Sequence, residues 1–447
     1  MSLVEKIKRY GQQTALVFDS YRYTYEDLTN KILYYSKEFE DVEKGSVISL
    51  VSDYSFDAIA IFFALINIKC IVSPVVSENN EEIQKRLKVI SPDIIINLRL
   101  GNEYKYSSVS QSRHPLILKL REDKHSGLVL FSSGSTGEPK AMIHDLDILS
   151  ESYVGKKAKN LSIMVFLMFD HIGGLNTLFN SLSMGAKVVI PKRREPEEVA
   201  RLIEKERINV LPASPTFLNM MLVSDVKNKY ELKSLRMITY GTEVMPESLL
   251  LRLKTKLPKV KLLQTFGTSE TGIIQTSSRS SESLELKLDD PDQQYKIVDK
   301  ELWLKSRTQV LGYLNHDMSS FSEDGWFKTG DLVEESNDGY LRIVGRKKEI
   351  INVGGEKVLP NEVESVVLEV EGVVDCMAYA QPNSINGQTV ALDVVLDRNC
   401  SDTKSMKKEI RRYCSNQLDT YKVPTKIRFT EDAGVGERFK KIRKSRS

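Results

Sequence analysis

Nine consecutive positions, Ser132-Ser133-Gly134-Ser135-Thr136-Gly137-Glu138-Pro139-Lys140, gather the residue types that hold a polyphosphate. Glycines let the backbone approach the anion, hydroxyls and amides donate to its oxygens, and a lysine neutralises charge. A flexible Ser/Gly surface loop has the same composition, so the stretch indicates phosphate only in company with other motifs. A Walker loop is excluded by residue order, because it needs glycine before the lysine and Ser or Thr after it. Here Pro139 and Ala141 flank Lys140. A second group, Phe169-Asp170-His171-Ile172-Gly173-Gly174, sets a carboxylate beside an imidazole at an expected strand-to-helix turn. Either side chain can be structural there.

The elements that must position these residues alternate along the first half. Apolar periodicity predicts helices at 25–38, 56–66, 81–88, 147–154, 175–183 and 196–206. Short β-branched runs predict strands at 46–52, 70–76, 94–97, 127–132, 162–167, 187–190 and 210–213. Such alternation implies an α/β fold with a mostly parallel sheet and helices on both faces. After about residue 276 the texture changes to short β-like segments at 301–305, 312–313, 326–328 and 340–344, with Asp-Gly turns between them. They suggest a small antiparallel sheet or β-barrel-like part. From Lys348 onward a compact α+β unit follows, with helices at 360–369 and 405–418 and strands at 373–381, 389–395 and 426–429. The domain boundary is expected between 345 and 346, giving a core of residues 1–345 and a mobile lid of 346–447.

A chain of 447 residues has room for two or three domains. The net charge of +3 is too small to argue for nucleic acid or an anionic membrane as partner. The longest apolar run, near 58–68, is too short and too interrupted to cross a bilayer. Four scattered cysteines give no zinc grouping or disulfide framework and suit a reducing compartment. Nothing at the N-terminus resembles a secretory leader. The expectation is a cytoplasmic enzyme.

Taken together with six further segments in the same chain order, the Ser132–Lys140 loop resembles the signature of the adenylate-forming superfamily. That superfamily holds acyl- and aryl-CoA synthetases, adenylation domains of peptide synthetases, and luciferases. Segments 23–28 and 63–74 resemble its structural motifs. Tyr240-Gly241-Thr242-Glu243 resembles the turn against which adenine lies. In Gln264-Thr265-Phe266-Gly267-Thr268-Ser269-Glu270-Thr271, the resemblance implies that Phe266 packs on adenine beside Gly267, Thr268 contacts the α-phosphate and Glu270 holds Mg²⁺. Asp324-Gly325-Trp326-Phe327-Lys328-Thr329-Gly330-Asp331 is similar to the ribose motif, with Asp331 as acceptor for both hydroxyls. Residues 340–364 match at length; they imply that Arg346 reaches ribose and phosphate and that Lys348 is the hinge. Gly354-Gly355 falls on the loop lining a thiol tunnel. Near the C-terminus, Phe439-Lys440-Lys441-Ile442-Arg443-Lys444 offers Lys441 as the catalytic lysine, with Lys440 where the family has glycine. A solvated basic tail is the alternative reading. His171, with Asp170 and Gly173, falls where the family borders its acid pocket and thiol tunnel. Peptide-synthetase domains pair an aspartate there with an α-ammonium, but follow it with a serine where Ile172 stands, which favours an acid without an amino group.

The resemblance therefore implies an AMP-forming acid–thiol ligase. A small carboxylic acid and ATP with Mg²⁺ give an acyl-adenylate, and coenzyme A captures the acyl group. Two alternatives stay open: a stand-alone adenylation domain loading a carrier protein, and a nucleotide-binding scaffold without catalysis. The motifs leave the oligomeric state open.

Overall fold

The computed structural model describes residues 2–100, 103–106, 113–133, 138–397, 400, 402–431, 434, 436 and 441. Two seven-stranded sheets form its frame. The first runs in the order Lys261–Gln264, Met237–Tyr240, Val210–Ala213, Ser162–Met164, Lys187–Ile190, Thr14–Phe18, Tyr21–Thr24. It is parallel except for the last pair. The second runs Gly312–Tyr313, Pro139–Asp145, Gly127–Ser133, Ile71–Val75, Val47–Val51, Ile94–Asn97, Glu103–Tyr106. Its centre is parallel and its margins antiparallel.

Period-two alternation in the strands builds three apolar layers. Leu16, Val188, Ile48, Leu128 and Leu130 point into a core between the two sheets. Val17 and Val189 point to the far face of the first sheet, and Val47, Val129 and Phe131 to the far face of the second. Helix Phe56–Asn67 fills the space between the sheets. Residues Ala58 to Leu65 are buried without a break, as expected of a helix that is apolar all round. The Ser55 side chain accepts from the Ala58 N–H and fixes its start. Helix Pro196–Glu206 instead buries one stripe, Val199, Ala200, Leu202 and Ile203, against the first sheet.

The third sheet is open and antiparallel, in the order Thr276–Ser278, Glu285–Leu288, Leu341–Arg346, Phe327–Glu335, Glu301–Ser306, Gln293–Val298. This is the β-barrel-like part of the sequence reading, with one correction. Gly312–Tyr313 does not belong to it, but pairs with Pro139–Asp145 on the edge of the second sheet. The chain leaves the third sheet after Arg346, which is still paired with Asp331. A boundary at 345/346 thus falls inside a strand; the turn Lys347–Glu349 is where the backbone departs. Beyond it, Ile351–Val353, Glu356–Val358, Val373–Asn383, Gly387–Leu396 and Lys426–Phe429 form a small sheet. Helices Pro360–Val367 and Thr403–Gln417 contribute Val363, Val367 and Ile410 to its separate core. Among the described residues, no helix is long and apolar enough to cross a membrane.

Candidate active site

Strands Met237–Tyr240 and Lys261–Gln264 lie side by side and end in register at Tyr240 and Gln264. The carboxyl ends of parallel strands are where open α/β sheets bind ligands. The turn after them is tight. The Thr265 N–H donates to the Tyr240 carbonyl at 2.7 Å. A Cβ on Gly241 would lie 2.7 Å from both the carbonyl and the hydroxyl of Thr265, so no side chain fits. Thr242 follows with φ of +72°, a left-handed conformation that is costly for a β-branched residue. Glu243 follows, with both carboxylate oxygens engaged. One of its oxygens accepts from the Thr216 hydroxyl at 2.6 Å, the other from the Lys441 backbone N–H at 2.9 Å.

The hairpin Phe266–Thr268 with Gly272–Ile274 carries the next group. A Cβ on Gly267 would meet the Gly272 carbonyl at 2.5 Å. Phe266 is only 9% exposed, packed with Ile274, Leu286 and Leu304. The Thr268 hydroxyl lies 2.9 Å from that of Thr271 and accepts from the Thr271 N–H, which closes the turn leading to Glu270. Burial raises the Glu270 carboxyl above the usual carboxylate range, against the pull of the Tyr313 hydroxyl, Arg346 and Lys140. The Tyr313 hydroxyl donates to Glu270 Oε1 at 3.2 Å.

Asp331, 4% exposed, receives the Arg346 Nε–H at 2.9 Å across adjacent strands. Burial raises its carboxyl and Arg346 opposes the shift. On the other side, Ser132 and Lys140 are cross-strand partners at the base of the phosphate loop, and Ser133 ends its first strand opposite Pro139. The loop tip, Gly134, Ser135, Thr136 and Gly137, lies outside the described residues.

His171 caps helix Ile172–Ser183, its Nδ1 accepting from the Gly173 N–H at 3.0 Å. Asp170 faces inward instead. Its carboxylate takes the Arg86 Nη1–H at 2.7 Å, and its side chain has 0% exposure against 10% for Arg86. It therefore offers no surface to a substrate ammonium. Lys348 sits exposed in the turn after the third sheet. The Lys441 ammonium is buried in the small domain, 2.9 Å from Asp375, 3.7 Å from Glu364 and 2.5 Å from the Cys376 carbonyl. Burial lowers its pKa, but the two carboxylates outweigh burial and hold it raised.

Sequence reasoning missed Arg86, Tyr313, Asn315, Asp375 and Glu364. A glycine-tyrosine pair ahead of an Asn-His-Asp turn gave the only local signal for the second and third.

Two family models match. The "AMP-binding enzyme" model covers residues 3–314, and the "AMP-binding enzyme C-terminal domain" model covers 362–434. The chain belongs to the AMP-binding enzyme family. As a member, it is an AMP-forming acid–thiol ligase of the adenylate-forming superfamily. The family's large and small domains correspond to the two parts described above. Similar curated proteins include a 4-coumarate–CoA ligase-like 6 of Arabidopsis thaliana, 26% identical over 86% of this chain and 78% of its own. Another is a 2-succinylbenzoate–CoA ligase of Listeria monocytogenes, 22% identical over 96% and 95%. Among solved structures, an anthranilate CoA ligase in complex with anthranoyl-AMP superposes with a TM-score of 0.82 at 18% identity, covering 97% of this chain and 94% of that one.

Proposed function

We infer that this AMP-binding enzyme activates an aromatic carboxylic acid lacking an α-amino group and passes the acyl group to coenzyme A. The observation that carries the nucleotide half is a convergence. Lys140 and Glu270 come from distant segments and meet at one side chain: the Tyr313 hydroxyl donates to Glu270 at 3.2 Å and the Lys140 ammonium lies 5.6 Å from its ring centroid. A polyphosphate needs such an arrangement, because phosphoryl chemistry depends on positioning and charge neutralisation more than on acid–base groups. Lys140 serves the β- and γ-phosphates, Thr268 the α-phosphate, and Asp331 with Arg346 the ribose.

The donor set suits Mg²⁺. The described residues contain no cluster of three His, Cys, Asp or Glu side chains that could cage a metal. Mg²⁺ typically takes one or two carboxylates plus substrate phosphates, which is what Glu270 facing a polyphosphate provides. The ion would supply charge neutralisation between the phosphates.

The inward Asp170 supports the absence of an amino group on the acid. The names of the curated relatives, 2-succinylbenzoate and 4-coumarate-like ligases, support the aromatic class and coenzyme A as acceptor. A carrier-protein thiol is the competing acceptor. Lys441 reaches the reacting carboxylate and α-phosphate by leaving Asp375 as the small domain turns about Lys348; there its charge is an electrostatic catalyst. Four free cysteines suit a cytoplasmic site of action.

The test is ATP–pyrophosphate exchange with a panel of aromatic, aliphatic and amino acids, followed by thioester formation with coenzyme A or a phosphopantetheinylated carrier. Exchange confined to amino acids would overturn the substrate reading; thioester on the carrier alone would overturn the acceptor.

A further inference from the structure

The segment from Val310 to Asn315 touches both ends of the phosphate machinery. At its start, the Val310 N–H donates to the Glu270 carbonyl at 2.8 Å. The Leu311 N–H then donates to the Ile143 carbonyl at 2.8 Å, and the Leu314 N–H to the Ala141 carbonyl at 2.9 Å. These bonds lay the segment along the strand that emerges from the phosphate loop. Between them stands Tyr313, 4% exposed. Its hydroxyl donates to Glu270 Oε1 at 3.2 Å, and the Lys140 ammonium lies 5.6 Å from its ring centroid. That distance is within cation–π range.

Asn315 completes the arrangement. Its Oδ1 accepts from the Ala141 N–H at 2.9 Å, and its Nδ2 donates to the Pro139 carbonyl at 2.9 Å. One side chain thus holds the backbone immediately before and after Lys140. A fork of this kind fixes the backbone from which the lysine stem leaves. Phe321 closes the remaining side of the tyrosine, ring edge to face at 6.4 Å.

We propose that Tyr313 and Asn315 are positioning residues that fix the Glu270 carboxylate and the Lys140 ammonium relative to each other, so that both meet the β,γ-phosphate end of ATP in one geometry. The tyrosine does this through two different faces. Its hydroxyl orients one carboxylate oxygen and leaves the other for a cation, while its ring offers the ammonium a site that carries no negative charge to compete with phosphate. Asn315 sets the register of Lys140 on its strand. This inference rests on the reading of Lys140 and Glu270 as phosphate-side groups.

The test compares ligands with and without the β- and γ-phosphates, by calorimetry on the full chain: ATP with Mg²⁺, pyrophosphate with Mg²⁺, and AMP. Three variants suffice. Tyr313→Phe keeps the ring and loses the hydroxyl, Tyr313→Leu loses both, and Asn315→Ala frees the backbone around Lys140. Loss of one hydrogen bond to a charged group predicts about tenfold weaker binding of ATP and pyrophosphate in Tyr313→Phe. AMP affinity should be unchanged. Mn²⁺ affinity of the ATP complex, read by electron paramagnetic resonance, should fall in Tyr313→Phe and stay near wild type in Asn315→Ala. Equal loss for AMP and ATP in Tyr313→Phe, whose volume is nearly conserved, would show a merely structural role and overturn the proposal. So would unchanged ATP and pyrophosphate binding in both Tyr313→Phe and Asn315→Ala. Wild-type protein that binds all three ligands but exchanges pyrophosphate with no acid would defeat the functional reading instead, and the ligand comparison would still decide this one.

Discussion

Replacing Arg86 by Met separates two roles for Asp170, that of a buried structural anion and that of a substrate ligand. The Arg86–Asp170 pair is close, at 2.7 Å, and nearly dry. Removing one partner of such a pair typically costs about 3–5 kcal/mol. Methionine recovers some packing against Phe131, over whose ring the guanidinium lies at 5.6 Å, so the net expectation is about 3 kcal/mol at pH 7. Urea unfolding at pH 7 measures the loss. The double variant Arg86→Met with Asp170→Leu should regain most of the loss, because a buried pair replaced by apolar residues is often neutral. A single-variant loss under 1 kcal/mol, or a double variant no better than the single, would refute the ion-pair account. Asp170→Asn should leave the ranking of acids in exchange assays unchanged; a shift in that ranking would return Asp170 to the acid pocket.

Three further outcomes are expected. His144 is fully buried, its ring nitrogens facing the Ser269 and Thr308 backbone, and burial pushes it down to about 4. A depressed histidine contributes stability above its unfolded value of 6.5 that is lost as pH falls toward 4. His144→Gln should therefore flatten the unfolding profile between pH 7 and 4.5 by about 2.5 kcal/mol; an unchanged slope would contradict this. Gly267→Ala forces the Thr268 hairpin off Gly272 and should lower exchange about a hundredfold while leaving a cooperative melt; near-normal exchange would mean that the hairpin gives way freely. Lys441→Ala should abolish adenylation and spare ATP binding by calorimetry. If adenylation survives, another group supplies the charge.

Much of the fold was legible because local signals coincided with tertiary placement. Helix Tyr25–Glu38 is bounded by a Thr24 capping box, and Lys187–Ile190 is a β-branched run that the parallel sheet buries as such. Where the sequence reading departs, pairing decides and periodicity does not. Val165 to Leu167 continue an apolar run, yet the strand ends at Met164; the Val165 N–H still reaches the Val189 carbonyl at 2.9 Å, and the chain then leaves the sheet. Gly312–Tyr313 is two residues long and carries no period, so its place beside Pro139–Asp145 could not be read locally. At the site, the motif residues are named from resemblance, whereas the groups that hold them are brought there only by the fold. Arg86 under Asp170, Tyr313 between Lys140 and Glu270, and Asp375 under Lys441 are all contacts between distant segments.

The most direct measurement is exchange of labelled pyrophosphate into ATP, catalysed by the wild-type chain and by Glu270→Gln. Exchange should require an aromatic acid and Mg²⁺ and fall by about a hundredfold or more in the variant. Folded wild-type protein that binds ATP yet exchanges with no acid, or a variant as active as wild type, would contradict it.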